Sequence, residues 1–320
     1  MADSTSTILF KTLSSGLVGV CGVSANLLSL FYFIRVEEHR GVANKLFILL
    51  NSLDLLVSLT APGVVIVYQL PVHGAGVDSL MHGLKLLFKI GVQSTAYTTC
   101  LISVTRTICL ARPFYRVKVR VLVVCTVVFV VCVPVCCEVL VLYLLYTRSG
   151  YRARVEGVIQ YMTLSILAAV FIVVVSSNIV SVYQLRRSKD VDGPNKEITA
   201  LNHRATITVL ILSILFCLLN ITFMIVLGCN VSNTCLPSSL LGWFSFWIAI
   251  PLNSCLNPCV YFARKQDMRD YVREVWRRCR GKKVEEGFSF RRGTYKGSTF
   301  RKVNEKTPLD RVFTTKCSEV

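Results

Sequence analysis

Acidic residues are scarce in this chain. Eighteen Asp and Glu stand against 36 Lys and Arg, a formal net charge of +18. On a soluble domain that imbalance would point to nucleic acid. Here the basic residues lie between and after apolar runs, so the charge reads as membrane orientation, with the lipid bilayer and no nucleic acid as partner. Histidine is scarcer still: four residues, His39, His73, His82 and His203, scattered in or near connections, with no zinc spacing among the cysteines to join them. A nucleophile–base pair and a phosphate-binding loop are both missing, so no enzyme and no catalytic residue is expected. Internal repeats are missing too, and with them the symmetry of an ion-coupled transporter, which stays a remote alternative. The residues before about Lys11 lack a cationic leader and cleavage site, so the first apolar run is expected to act as an uncleaved anchor.

Cysteine is plentiful, but its fourteen copies do not form a disulfide framework. Most lie inside apolar runs (Cys125, Cys132, Cys136, Cys137), where a thiol acts as a small hydrophobe. What dominates is hydrocarbon. Hydrophobic residues make up 53% of the chain, at a mean hydropathy of +0.57. The excess falls in seven runs, 13–34, 45–70, 84–110, 121–146, 158–183, 205–228 and 239–262, each long enough to cross ~30 Å of hydrocarbon. The expected fold is an all-α membrane protein. It comprises an extracellular N-terminus (1–12), a seven-transmembrane helix bundle (13–263), a short amphipathic eighth helix on the membrane surface (264–280) and a disordered cytoplasmic tail (281–320).

Orientation follows the lysine and arginine bias. Arg112, Arg116, Lys118 and Arg120 follow the third run; Arg186, Arg187, Lys189, Lys196 and Arg204 follow the fifth; the tail is basic throughout. Arg148, Arg152 and Arg154, between the fourth and fifth runs, oppose them. The weight places the N-terminus outside and the C-terminus in the cytoplasm of a multi-pass plasma-membrane protein. On the outer side Cys229 and Cys235 flank a short loop, where a bridge would contribute about 2–3 kcal/mol, and Asn230 opens a glycosylation sequon with Val231 and Ser232. Beyond Phe262, the spacing of Met268, Tyr271, Val272, Val275 and Trp276 gives an apolar stripe on one helix face. Cys279, at its end, is a palmitoylation candidate.

Polar groups at bilayer depth are the strongest functional signal. An ionisable side chain there costs about 2.5–3.5 kcal/mol even on lenient scales and so faces the bundle interior. Asp54 sits mid-run in Asn51-Ser52-Leu53-Asp54-Leu55, and Asn26, Thr95, Asn253, Ser254 and Asn257 lie at similar depth. Converging, they would form an oxygen-rich pocket for a hard monovalent cation or a proton, or a purely structural polar network. Pro258 removes a backbone hydrogen bond within the seventh run, with Asn257 placed to supply a partner and Tyr261 one turn on. Lys85 and Lys89 lie near the outer end of the third run. They either pair internally, Lys89 with Glu138, or receive an anionic ligand.

Together these features resemble the rhodopsin-like (class A) G protein-coupled receptors over residues 13–279. The strings that carry the likeness are Gly22-Val23-Ser24-Ala25-Asn26, Asn51-Ser52-Leu53-Asp54-Leu55, Ile102-Ser103-Val104-Thr105-Arg106 with Pro113 after it, and Asn257-Pro258-Cys259-Val260-Tyr261. The resemblance implies that Asp54, Thr95, Asn253 and Asn257 form a sodium-linked cluster, that Arg106 meets a heterotrimeric G protein, and that Tyr261 swings inward on activation at the Pro258 joint. It implies an extracellular ligand, with a lean toward an anionic one and Lys85, Phe88, Lys89 and Glu138 as pocket candidates. Retinal is set aside because Pro251 stands where its lysine would be, and amines because Phe88 stands where their aspartate would be. In the tail, Ser289, Thr294 and Ser298 offer phosphorylation sites for receptor kinases and arrestin, and Ser318 with Val320 forms a terminal pattern of the kind PDZ domains bind.

The departures make it a divergent member. Thr105 replaces the acid before Arg106, and Thr199 and Ala200 occupy the place of another acid, with Glu197 nearest. Cys217-Leu218-Leu219-Asn220 lacks the family's tryptophan and proline. Met81 stands where a bridging cysteine would be, the fourth run lacks its tryptophan, and the fifth its proline. These changes keep a non-signalling scaffold or decoy as the alternative. For a signalling receptor, Arg106 lacks two restraints. Second-messenger levels in unstimulated cells expressing the protein should therefore exceed those of mock-transfected cells; equal levels contradict this.

Overall fold

The computed structural model describes residues 5–35, 42–69, 74–111, 152–188, 196–232 and 239–280, with isolated positions 124, 128, 132, 135 and 136 between them. This described chain is helical almost throughout: α1 (Thr5–Arg35), α2 (Val42–Gln69), α3 (Ala75–Ala111), α4 (Arg152–Ser188), α5 (Lys196–Ser232), α6 (Ser239–Phe244), a π-helical turn (Ser245–Ala249), α7 (Ile250–Arg264) and α8 (Gln266–Cys279). Five stretches, Ser6–Arg35, Asn44–Gln69, Tyr161–Arg187, Thr206–Cys229 and Gly242–Arg264, are long and apolar enough to cross a membrane. α3 is not among them, since Lys85, Lys89, Arg106 and many Ser and Thr interrupt it. The expected fourth span, with Glu138, lies outside the described residues apart from the isolated positions, as does the tail with Ser318 and Val320.

Several expected boundaries need correction. α1 starts at Thr5, not 13, so residues 5–12 belong to a helix rather than to a polar extracellular arm. α3 starts at Ala75, nine residues before 84, and α4 and α5 extend past their apolar runs at both ends. Hydropathy marks only the part a bilayer can hold, whereas a helix continues until a proline, a glycine pair or a cap stops it. α5 reaches Ser232, so the Asn230 sequon lies in helix rather than in a loop, and Cys229 sits half-buried in its last turns. Cys235 lies outside the described residues. The seventh run is not one regular helix but α6, the π turn and α7.

Polarity is inverted relative to a water-soluble protein. Asn26, Asn51 and Asp54 are fully buried, while Leu17, Val20 and Ile179 are each about two-thirds exposed. Outward hydrocarbon around inward amides is the pattern of a helical membrane protein. Several hydroxyls bond back to the carbonyl one turn earlier: Thr12 to Ile8 (3.0 Å), Ser52 to Ile48 (2.9 Å), Thr98 to Ser94 (2.8 Å) and Thr99 to Thr95 (2.9 Å). Between helices, Ser103 bonds Ser213 (3.1 Å), tying α3 to α5, and the Thr107 hydroxyl reaches the Ser177 carbonyl and Ser181 Oγ (2.9 Å each), tying α3 to α4.

The buried apolar residues form two clusters. One gathers Phe33, Phe47, Leu50, Ile102, Leu212 and Tyr261. The other gathers Val57, Phe88, Val174, Phe216, Phe223 and Ile250. Along α2, α3 and α7 the polar residues fall between the two: Asp54 between Leu50 and Val57, Thr95 between Phe88 and Ile102, Asn257 between Ile250 and Tyr261. α8 docks rather than lying wholly on a surface. Met268 is buried in the first cluster, and Tyr271 packs edge-on against Tyr32 at 5.6 Å. Only the far end of the stripe, with Trp276 at 58% exposure, is open.

α1 approaches α2 closely because two glycines allow it. A Cβ on Gly19 would stand 2.6 Å from Pro62 Cγ, and one on Gly22 would overlap the Ser58 side chain. Gly16, one turn and a half away, has open space. Overpacking such a contact costs about 1–3 kcal/mol. Gly22→Val should lower the unfolding midpoint in detergent accordingly and Gly16→Val should not; equal midpoints would place the two helices farther apart.

Candidate functional site

Of the expected cluster, Asp54, Thr95 and Asn257 come together. Asn257 Nδ2 donates to Asp54 Oδ2 at 2.7 Å, joining α7 to α2, and the Thr95 hydroxyl donates to Asp54 Oδ1 at 3.4 Å, joining α3. Ser254 also faces the carboxylate. Among the described residues no Lys or Arg pairs with Asp54. A carboxylate at this depth without a cationic partner is therefore held by neutral donors from three helices.

The proline break is resolved differently from the expectation. Pro258 has no N–H to give to the Ser254 carbonyl one turn earlier. Asn257 does not fill the gap, being committed to Asp54. Instead Asn26 Nδ2, from α1, donates to the Ser254 carbonyl at 3.2 Å and to the Gly22 carbonyl at 2.9 Å. The sequence singled out Asn26, but as a cluster member rather than as the group that completes α7. Its reach depends on the close approach of α1 at Gly22.

Several buried acceptors around this core have no hydrogen-bond partner: Asn26 Oδ1, Ser58 Oγ and Asn253 Oδ1. Ser58 lies one turn from Asp54 on α2, and Asn253 one turn from Asn257 on α7, so each shares the face of the residue it neighbours. Spare neutral oxygens beside a carboxylate fit a hard monovalent cation or hydrogen-donating water. Ser58 was missed in the sequence, although its i+4 spacing from Asp54 carried the signal.

Tyr261 is fully buried, its ring edge-on to Phe33 (5.6 Å) and Phe47 (5.0 Å), and its hydroxyl has no partner. Contacts of this kind contribute about 0.5–1.5 kcal/mol each beyond area burial. Below it, near the end of α3, Arg106 has no acidic partner among the described residues. Lys265, between α7 and α8, lies near enough to Arg106 for their charges to interact, and its Nζ sits 4.6 Å above the Phe33 ring and 5.6 Å from that of Phe47. Arg269 closes the end of α7 by donating to the Ala263 carbonyl at 2.6 Å.

The other candidates fall as follows. Lys85 and Lys89 lie within α3, about three and four turns from its start rather than at its end; Lys85 is half-buried and Lys89 exposed. Phe88 is buried and stacks on Trp247 at 5.3 Å, while Phe246 meets Phe223 edge-on at 4.7 Å. The π turn thus brings its own Phe246 and Trp247 together with aromatics from α3 and α5. Asn220 bonds back to the Phe216 carbonyl at 2.8 Å, and α5 runs unbroken past it. Cys279 is exposed at the end of α8, open to modification. Compared with known proteins, the chain matches no protein-family model and no curated sequence.

Burial, then the nearby Arg106, push Lys265 from 10.5 down to about 8, against a smaller upward pull from Asp267. The folded protein therefore binds fewer protons here than the unfolded chain at pH values between these two. Stability from this group rises with pH across that window and is flat below it. Thermal midpoints of wild type and Lys265→Met, compared from neutral pH to pH 10.5, should show the wild type gaining on the variant above pH 8; a constant difference would refute the burial of this amine.

Proposed function

We propose that the protein is a plasma-membrane receptor of the rhodopsin-like kind, a seven-span bundle that binds an extracellular ligand and activates heterotrimeric G proteins from its cytoplasmic face. The observation that carries this reading is the Asp54–Asn257 bond. It couples α2 to α7, which contains Pro258 and follows a π turn, at a level where α1 and α3 also contribute polar groups. Such a core has two ways to be satisfied, by its own amides or by a bound cation or water, which gives the bundle two arrangements for a ligand to choose between. A sodium ion would be held by Asp54 with Thr95, Asn253 and Ser58, supplying positive charge opposite the carboxylate.

The inner end supports the output side of the reading. Arg106 and Lys265 present two cations, neither in an ion pair among the described residues, beneath the aromatic contacts of Tyr261. That surface suits an acidic or carboxylate-ended segment of a G protein. Arrestin, receptor kinases and a PDZ domain would act on the tail, and a lipid chain on Cys279 would fix α8 to the bilayer. A second reading, a receptor-like scaffold that does not signal, draws support from the unbroken α5. Without a proline this helix has no built-in hinge where the family's outward movement takes place.

Nucleotide exchange on purified G proteins separates the two. The receptor reading expects exchange above that of empty nanodiscs, and a loss of about tenfold or more in Arg106→Ala, the effect of removing one charge-assisted contact. No exchange from the wild type, or equal exchange from Arg106→Ala, favours the scaffold.

A further inference from the structure

A groove of about 540 Å³ runs between α4 and α5 on the outside of the bundle. Its volume lies within the ~300–1,000 Å³ usual for ligand cavities. It is lined on one side by Ile179, Tyr183 and Arg186 and on the other by Ile214, Cys217 and Leu218. Ile179, Tyr183 and Leu218 are each 60% exposed or more, so the groove opens toward the surroundings of the bundle rather than into its core. In a membrane, that side is lipid.

The shape and the charge name the occupant. From Val175 to Arg186, both lining it, the groove extends about 16 Å along α4 at 1.5 Å per residue. That is roughly one leaflet of a ~30 Å hydrocarbon core. Its walls are almost wholly apolar up to Arg186, which stands in the last turn of α4 beside Arg187. Among the described residues no acidic side chain lines it. A chain-length slot ending in a guanidinium fits one acyl chain with an anionic headgroup: the chain fills the apolar slot, and Arg186 offers paired donors to phosphate or carboxylate. We infer that this groove is a specific site for an anionic phospholipid, its headgroup on Arg186 and one acyl chain between Ile179 and Leu218. The back wall includes Ser213, whose hydroxyl holds α3 through Ser103. A seated lipid therefore braces the joint at which α3, α4 and α5 meet. The inference needs only that the helices lie in a bilayer and does not depend on G protein coupling.

Photoactivatable phosphatidylserine and phosphatidylcholine, each with the reactive group on an acyl chain, test it on the full chain in phosphatidylcholine nanodiscs. Labelled peptides are mapped by mass spectrometry. Phosphatidylserine should label residues 175–186 and 210–218 in excess over phosphatidylcholine. Arg186→Gln should reduce that labelling about fivefold, the fold-change that ~1 kcal/mol per basic residue at an anionic surface implies. Arg187→Gln, at a neighbouring exposed position that does not line the groove, should leave it unchanged, and Ile214→Trp, which fills the slot, should remove labelling by both lipids. Equal labelling by the two lipids, equal loss in the two arginine variants, or displacement of the phospholipid by an equal concentration of fatty acid would each overturn the site. Bismaleimide crosslinking through Cys217 into dimers would overturn it too, by showing that a second copy covers the groove.

Discussion

The Ser254 carbonyl is the group on which the bundle turns. Pro258 deprives it of its ordinary donor, and in hydrocarbon an unpaired carbonyl costs several kcal/mol. Only a neighbouring helix can make up the loss, and Asn26 of α1 does so. That single bond sets a chain of requirements. α1 must come close, so Gly22 cannot carry a side chain. α7 must keep the face that presents Ser254, so Asn257, one residue before the proline, is turned toward Asp54. Asp54 is then held by neutral donors, and a polar layer appears where the rest of the bundle is hydrocarbon.

Two apolar clusters enclose that layer, and they differ in kind. The cluster on the α8 side is aromatic and tightly interlocked through Phe33, Phe47 and Tyr261. The other mixes aliphatic residues with the Phe88–Trp247 stack. A polar middle between two apolar ends separates the groups that can change hydrogen-bond partners from those that hold the packing. The spare oxygens of Asn26, Ser58 and Asn253 mark where that freedom lies.

Much of this was legible in the sequence, and for a definite reason. A buried Asp or Asn in a long apolar run is costly, and of the residues flagged by that cost Asp54, Thr95 and Asn257 meet, while Asn26 bonds the Ser254 carbonyl. What escaped was geometry that composition does not encode. The partner of the freed carbonyl lies more than two hundred residues away, and local reading chose the adjacent Asn257. Trp247 and Lys265 gained their places only through the π turn and the extended residue between α7 and α8. The ends of α1, α3, α4 and α5 were misplaced because hydropathy reports the solvent, whereas helix length reports backbone continuity. The fourth apolar run, and with it any partner Glu138 offers to Lys89, lies outside the described residues.

The π turn at Ser245–Ala249 holds one surplus residue, which shifts the phase of everything before it by about 100° relative to α7. The stretch from α6 to α7 therefore carries two independent registers. Trp243 to Trp247 answer to one set of neighbours, and Asn253 to Tyr261 to another. A change of one residue in chain length can be absorbed within that turn by trading a wide loop of backbone for an ordinary one. The same change a few residues later would rotate both asparagines away from Asp54. Here the bundle tolerates variation in length far better than variation in chemistry.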